Sequence, residues 1–120
     1  MGMTLLLVDD HDGFRRSARV TLEAEGFTVL GEAIDAASAL ASARALRPQL
    51  VLLDVRLPDR SGFAVAEELA RDETPPIVVL ISSVDRADLA GRLATSPARG
   101  FLPKHEFSGA ALRNLIEEAS

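Results

Sequence analysis

The fold turns on Leu50-Val51-Leu52-Leu53-Asp54, four large aliphatic residues running straight into a carboxylate. Four such residues are too few for an independent helix. Pro48 stands upstream, and Pro58, Asp59, Ser61 and Gly62 crowd the segment downstream, so the run reads as a strand buried on both faces. Strands of that kind belong to parallel sheets covered by helices, and function in such sheets gathers at the carboxyl ends of the strands. Asp54 stands at that position.

Toward the N-terminus, Leu5-Leu6-Leu7-Val8 repeats the pattern and closes with Asp9-Asp10. Phe14, Ala18 and Leu22 then recur every four residues, predicting an amphipathic helix of roughly Asp12 to Glu25 that Gly26 stops. Asp12 supplies the negative charge suited to its start, and Arg15, Arg16 and Arg19 read as its solvated face. Phe27 to Ala33 holds a second strand. Asp35 is a good cap for a second helix with the stripe Ala36, Leu40, Ala43 and Leu46.

Toward the C-terminus, Phe63, Ala66, Leu69 and Ala70 mark a third helix, broken by Thr74-Pro75-Pro76. Ile77 to Ile81 is the strongest β-branched run and ends at Ser82-Ser83. Asp85 to Ala94 is a weaker helix, because Gly91 inside it costs about 1 kcal/mol against alanine. Gly100-Phe101-Leu102 is a short fifth strand leading to Pro103-Lys104. A last helix starts near Glu106 to Ser108 and runs through Leu112, Leu115, Ile116 and Ala119. Five strands alternating with five helices on short links predict one α/β domain, residues 1–120, built on a five-stranded parallel doubly wound sheet.

Composition excludes several classes. At 48% hydrophobic and 26% charged residues the chain is ordinary globular material. Without cysteine there is neither a disulfide nor a thiolate metal site. The apolar start stops at two aspartates and lacks the basic flank of a secretory signal, and no run approaches the ~20 apolar residues of a membrane span. A net charge of −5 argues against nucleic acid as a direct partner of this domain. The expectation is a cytoplasmic location.

The ends of strands one, three, four and five bring Asp9-Asp10, Asp54, Ser82 and Lys104 to one edge. Clustered carboxylates repel unless a cation or raised pKa values relieve them. With no cysteine and two histidines, the fitting ion is a hard one held by oxygens, and Mg²⁺ suits best because it leaves room for phosphate oxygens. A carboxylate beside Mg²⁺ can attack a phosphoryl group and become an aspartyl phosphate. Asp54 is the best nucleophile, since Asp9 and Asp10 leave the neighbouring strand together, as metal holders would. Lys104 and the Ser82 hydroxyl supply a fixed charge and a hydrogen bond to the transferred group. His11 reads as a helix-start residue beside the acids and His105 as an exposed loop residue, not as a catalytic pair.

The pieces Leu-Leu-Leu-Val-Asp9-Asp10-His11, Leu-Leu-Asp54-Val-Arg-Leu-Pro58-Asp-Arg-Ser-Gly62, Leu-Ile-Ser82-Ser83 and Gly100-Phe101-Leu-Pro-Lys104 resemble, in order and spacing across essentially the whole chain, a response-regulator receiver domain of two-component signalling. The first and last are most similar to regulators of the NarL/LuxR type. The resemblance implies a flavodoxin-like strand order 2-1-3-4-5, and phosphorylation of Asp54 by a sensor histidine kinase. Asp10, Asp54 and the backbone carbonyl of Arg56 would bind Mg²⁺ directly, with Asp9 acting largely through water. Lys104 would pair with the phosphoryl group, Ser82 would move to hydrogen-bond it, and Phe101 would turn inward behind Ser82. Helix four, strand five and helix five would then present a changed surface, the usual homodimer surface of the family. Relatives of this type usually carry a C-terminal helix-turn-helix DNA-binding domain, so the chain is either a receiver from a longer transcription regulator or a stand-alone one. It is not expected to be an enzyme beyond its own phosphoryl transfer and a slow self-dephosphorylation, since Arg56 and Val84 are poorly suited to position a water.

Two other readings compete. Asp10-His11-Asp12-Gly13, following Leu7-Val8-Asp9, is similar to the Asp-x-Asp start of a haloacid-dehalogenase phosphohydrolase, with Asp10 as nucleophile and Asp12 as acid/base. Against it, Ile77 to Ile81 ends in two serines where an acidic pair belongs. A pseudo-receiver serving only dimerisation is the third reading, and the complete acid set argues against that one.

Overall fold

The computed structural model describes residues 2–118. Its elements are β1 (Thr4–Val8), α1 (Asp12–Ala24), β2 (Thr28–Ala33), α2 (Ala36–Leu46), β3 (Leu50–Asp54), α3 (Gly62–Leu69), β4 (Ile77–Ser82), α4 (Arg86–Thr95), β5 (Gly100–Pro103) and α5 (Gly109–Glu118). The strands are parallel in the order β2-β1-β3-β4-β5. This is the doubly wound sheet and the strand order expected above.

The period of two along a strand divides the core into halves. Leu6, Val8, Val51, Leu53, Leu80 and Phe101 face α2 and α3. Leu5, Leu7, Leu50, Leu52, Val79 and Ile81 face α1 and α5 through Ala18, Leu22 and Leu112. Every residue of β3 is buried, as a central strand covered on both faces must be. Register then fixes the functional edge. Val8 pairs Leu53, Asp54 pairs Ile81 and Ser82 pairs Pro103, so the residues that follow β1, end β3 and β4, and follow β5 emerge side by side.

The loop after β3 is tied down from outside the sheet. Asp35 caps α2, accepting from the Ser38 N–H at 2.8 Å, with the Ser38 hydroxyl reaching back to the cap. Asp59 joins it, its two oxygens accepting from Ala36 N (2.8 Å) and Ala37 N (3.0 Å). These bonds, the one from Ala36 first, hold the exposed Asp59 carboxyl below the usual range.

Two expectations need adjustment. Lys104–Glu106 forms a 3₁₀ turn, and α5 begins only at Gly109, because the Ser108 hydroxyl accepts from Ala111 N at 2.9 Å and so sets the helix start. Ala119, expected in that helix, lies outside the described residues. Arg15 and Arg19 are not a solvated face. They converge on Glu32 of the edge strand β2, with Arg15 Nε at 3.0 Å and Arg19 Nη1 at 2.7 Å, and the Arg15 side chain is only 13% exposed.

Helix α4 is attached in an unusual way. None of its residues is buried, and Leu89 and Leu93 pack only at the margin of the core. Two arginines supply the remainder. Arg86 donates to the Phe101 carbonyl at 3.0 Å with its guanidinium 5.5 Å from that ring. Arg92 lies 4.3 Å from the Phe63 ring and donates to Ser61 Oγ at 3.1 Å. Such contacts are worth about 0.5–1.5 kcal/mol each. Arg86→Ala is therefore expected to speed amide exchange in α4 about five- to tenfold while β1 and β3 keep their protection, as hydrogen-exchange mass spectrometry would show. Unchanged exchange in α4 would mean that its leucines suffice.

Candidate functional site

The carboxyl edge gathers the acids around one ammonium. Asp9 is fully buried, Asp54 is 3% exposed, and Asp10 turns outward. Lys104, on the turn after β5, places Nζ 2.7 Å from Asp9 Oδ2 and 3.2 Å from Asp54 Oδ2. Beneath it lies Phe14 of α1, its ring centroid 4.8 Å from Nζ. The stripe pattern had marked Phe14 as core; it is also a polarisable floor for the lysine.

Each of the two buried acids accepts from a main-chain N–H. Arg56 N donates to Asp54 Oδ1 at 3.1 Å. His11 N donates to Asp9 Oδ1 at 2.8 Å, and Arg15 Nη1 donates to the Asp9 carbonyl at 2.6 Å. Arg15 is thus a positioning residue that the amphipathic pattern concealed. It grips the loop after β1, Glu32 and Asp12 at once.

Electrostatics here are strained by burial. Desolvation raises the Asp54 carboxyl above its ordinary range, the hydrogen bond from Arg56 opposes this, the charge of Asp9 adds to it and Lys104 offsets part. Burial would lower the Lys104 ammonium, yet its pairing with Asp9 and Asp54 outweighs that and holds it above the usual lysine value. Asp9 Oδ2 is buried, with Lys104 Nζ as its charge partner at 2.7 Å. One ammonium among the carboxylates of Asp9, Asp10 and Asp54 leaves this edge with net negative charge, which a cation would relieve. Ligand atoms of Asp9, Asp10, His11 and Asp54 lie within 4.8 Å of one another, so the donor set fits a divalent ion such as Mg²⁺.

Ser82 closes β4 fully buried, while Ser83 is exposed. Its Oγ accepts from Val84 N at 3.0 Å, which leaves its own O–H as a donor. Phe101 is buried at 4% exposure behind this strand end, on the same side of the sheet as Leu80. Arg56 is exposed at the rim. Asp12 is not among the clustered acids: it opens α1, largely exposed and paired with Arg15. The dehalogenase-like reading, which needs Asp12 beside Asp10 as acid/base, is not supported by that placement.

A groove at the opposite edge, lined by Arg44, Arg47, Glu68, Asp72 and Pro75, has none of these features. Arg44 pairs there with Glu68 (3.1 Å) and Arg47 with Asp72 (2.7 Å). Among the described residues no helix is long and apolar enough to cross a membrane.

Comparison with known proteins agrees with the geometry. The family model described as response regulator receiver domain matches residues 5–117. The transcription regulator BvgA of Bordetella pertussis is 36% identical over 102 residues, covering 85% of this chain and 49% of BvgA. The response regulator GacA of Pseudomonas protegens is 32% identical over 114 residues, covering 94% and 52%. The chain therefore spans about half the length of the curated relatives it matches. Among solved structures, the signal receiver domain of NarL from Mycobacterium tuberculosis superposes with a TM-score of 0.87 at 32% identity, covering 98% of this chain and 96% of that one.

Proposed function

The chain belongs to the response-regulator receiver family, and from that premise we propose that it is a phosphorylation-dependent switch whose phosphoacceptor is Asp54. The observation that carries this is a buried strand-end carboxylate with a lysine ammonium 3.2 Å away and a second buried acid beside it. The donor would be a phosphohistidine of a sensor kinase in the cytoplasm. An Asp54 oxygen attacks phosphorus in line; the O–P bond forms as the P–N bond breaks, and the imidazole nitrogen leaves with its electron pair.

Bound Mg²⁺ would neutralise the phosphoryl oxygens, with Asp10, Asp54 and the Arg56 carbonyl as its direct holders and Asp9 acting largely through water. Lys104 gives the new phosphoryl group a fixed positive partner, and the Ser82 O–H turns to donate to it. That turn has a local cost. Ser82 Oγ now accepts from Val84 N, so its departure frees the segment leading into α4. The carbonyl of Phe101 is held by Arg86 of the same helix, which links β5 to the movement. The α4-β5-α5 surface would then carry the signal to an output domain or a second copy of the chain. Moving a switch from 1:99 to 99:1 takes about 5.5 kcal/mol of differential stabilisation, within reach of a few charge-assisted bonds.

The test is incubation with acetyl phosphate and Mg²⁺ followed by intact mass. One phosphoryl group is expected, absent from Asp54→Asn and absent when a chelator is present. A label that survives Asp54→Asn overturns the assignment. The lifetime of that label is a second readout. Arg56 and Val84 offer no group suited to orient a hydrolytic water, so Arg56→Asn combined with Val84→Glu is expected to shorten the lifetime at least about tenfold. An unaltered lifetime would mean that dephosphorylation is limited elsewhere.

A further inference from the structure

We propose that His11 is a ligand of the acid cluster, and that it makes this a site for borderline transition ions such as Co²⁺, bound more tightly than Mg²⁺. The inference rests on the metal-dependent reading above and adds to it a nitrogen donor. Oxygen donors alone suit hard ions, whereas an imidazole contributes a bond that Co²⁺ and Ni²⁺ make readily and Mg²⁺ does not.

Geometry brings the ring into place. His11 Nδ1 lies 3.2 Å from Asp9 Oδ1 and 3.3 Å from Asp10 Oδ1. Adjacent ligands around an octahedral ion with bonds of ~2.1 Å stand about 3.0 Å apart, and opposite ones about 4.2 Å. The full set, held within 4.8 Å, therefore needs only small adjustments to surround an ion. The ring is also preplaced, because its main-chain N–H is already bonded to Asp9 Oδ1 at 2.8 Å.

The cluster already draws positive charge to this spot: Lys104 Nζ lies 2.7 Å from the buried Asp9 Oδ2, 3.2 Å from Asp54 Oδ2 and 3.3 Å from His11 Nδ1. Nor is the imidazole needed by the helix it precedes. His11 flanks α1 without a side-chain capping bond, and its side chain is 67% exposed. His105 is the natural control, since it pairs with Glu106 on the 3₁₀ turn.

The experiment is calorimetric titration of the untagged chain with Co²⁺ and, separately, Mg²⁺, comparing wild type with His11→Ala, His11→Gln, His105→Ala and Asp10→Ala. Wild type is expected to bind Co²⁺ at least about tenfold more tightly than Mg²⁺. Both His11 variants should lose at least about tenfold in Co²⁺ affinity, with Mg²⁺ affinity within about twofold. His105→Ala should lose neither, and Asp10→Ala both. Circular dichroism checks that each variant is folded, and agreement between the alanine and glutamine variants guards against a packing artefact. Co²⁺ affinity within twofold of wild type in the His11 variants, or an equal loss of both ions, would overturn the His11 assignment while leaving the acid site standing. Failure of wild type to bind either ion, or retention of both by Asp10→Ala, would overturn the acid site itself.

Discussion

Lys104→Met is expected to destabilise the fold by about 3–5 kcal/mol at neutral pH, because it leaves buried carboxylates without their counter-ion. Methionine keeps the length of the stem over Phe14, so the loss should come from charge rather than packing. Two acids face the vacated position, Asp9 with no exposure and Asp54 with almost none, and Asp10 stands nearby. The pH dependence identifies the cause. Asp54 already titrates above the ordinary range, through burial first and then the charge of Asp9. Without Lys104 it must rise further. A carboxyl raised in the folded state contributes stability below its unfolded value of ~3.9 and loses it as pH rises through the folded value. The variant should therefore be weakest at neutral pH and approach wild type as pH falls toward 4.

The lysine follows the same sign in a more alkaline window. Its ammonium is held above the usual value, so its contribution persists up to the ordinary range of ~10.4 and fades as pH rises through the folded value. Wild type should lose this increment in strong alkali, and Lys104→Met has none to lose. Urea unfolding at pH 7, 5 and 10.5 measures all three limbs. A deficit that stays constant from pH 7 to 5 would rule out the electrostatic account. Asp54→Asn is the converse, since it removes a repelling buried charge while keeping an oxygen for Arg56 N; it should stabilise the protein by about 1–2 kcal/mol at neutral pH. In the double variant the cost of Lys104→Met should shrink, since the two side chains touch.

How much of this was legible beforehand varies with range along the chain. The aliphatic run Leu50 to Leu53 identifies a central strand because only a sheet covered on both faces hides such a sequence, and β3 is buried throughout. Its terminal acid follows directly. The register that sets Asp54 against Ile81 and Ser82 against Pro103 is a property of strand pairing; its order was reached through family resemblance, since periodicity does not encode it. Lys104 reads as an edge residue from its place after the fifth strand, but that it reaches Asp9 depends on two segments at opposite ends of the chain. Arg15 shows the limit most clearly. A helical wheel assigns it to water because the wheel contains no β2, and Glu32 on that strand draws it inward. Helix α4 is the reverse case. Gly91 weakens its sequence signal, and the structure gives it no buried residue.

Gly62→Ala is the second substitution with a large expected effect, and its cause is contact rather than conformation. A Cβ there would stand 2.1 Å from the Asp54 carbonyl oxygen and 2.9 Å from Val55 Cα. Both obstacles are backbone at the end of β3, so neither can rotate aside as a flexible side chain would. Gly62 N also donates to the Val55 carbonyl at 2.7 Å, which holds the start of α3 against the segment that aims Asp54. Alanine must therefore push the helix start and the acceptor strand apart, at about 3 kcal/mol for an overpacked site. Misplacing a nucleophile by about 1 Å can cost a hundredfold in rate, so labelling by acetyl phosphate should slow by about that factor even where the variant is fully folded. Gly91→Ala is the contrasting control, since nothing lies within 4 Å of its Cβ; in a helix interior it should stabilise by about 1 kcal/mol and leave labelling alone. Normal labelling by a destabilised Gly62→Ala would place the displacement wholly in α3. That would separate the rigidity of Asp54 from the helix that follows it, and leave its positioning to the Arg56 N–H bond, Lys104 and the sheet.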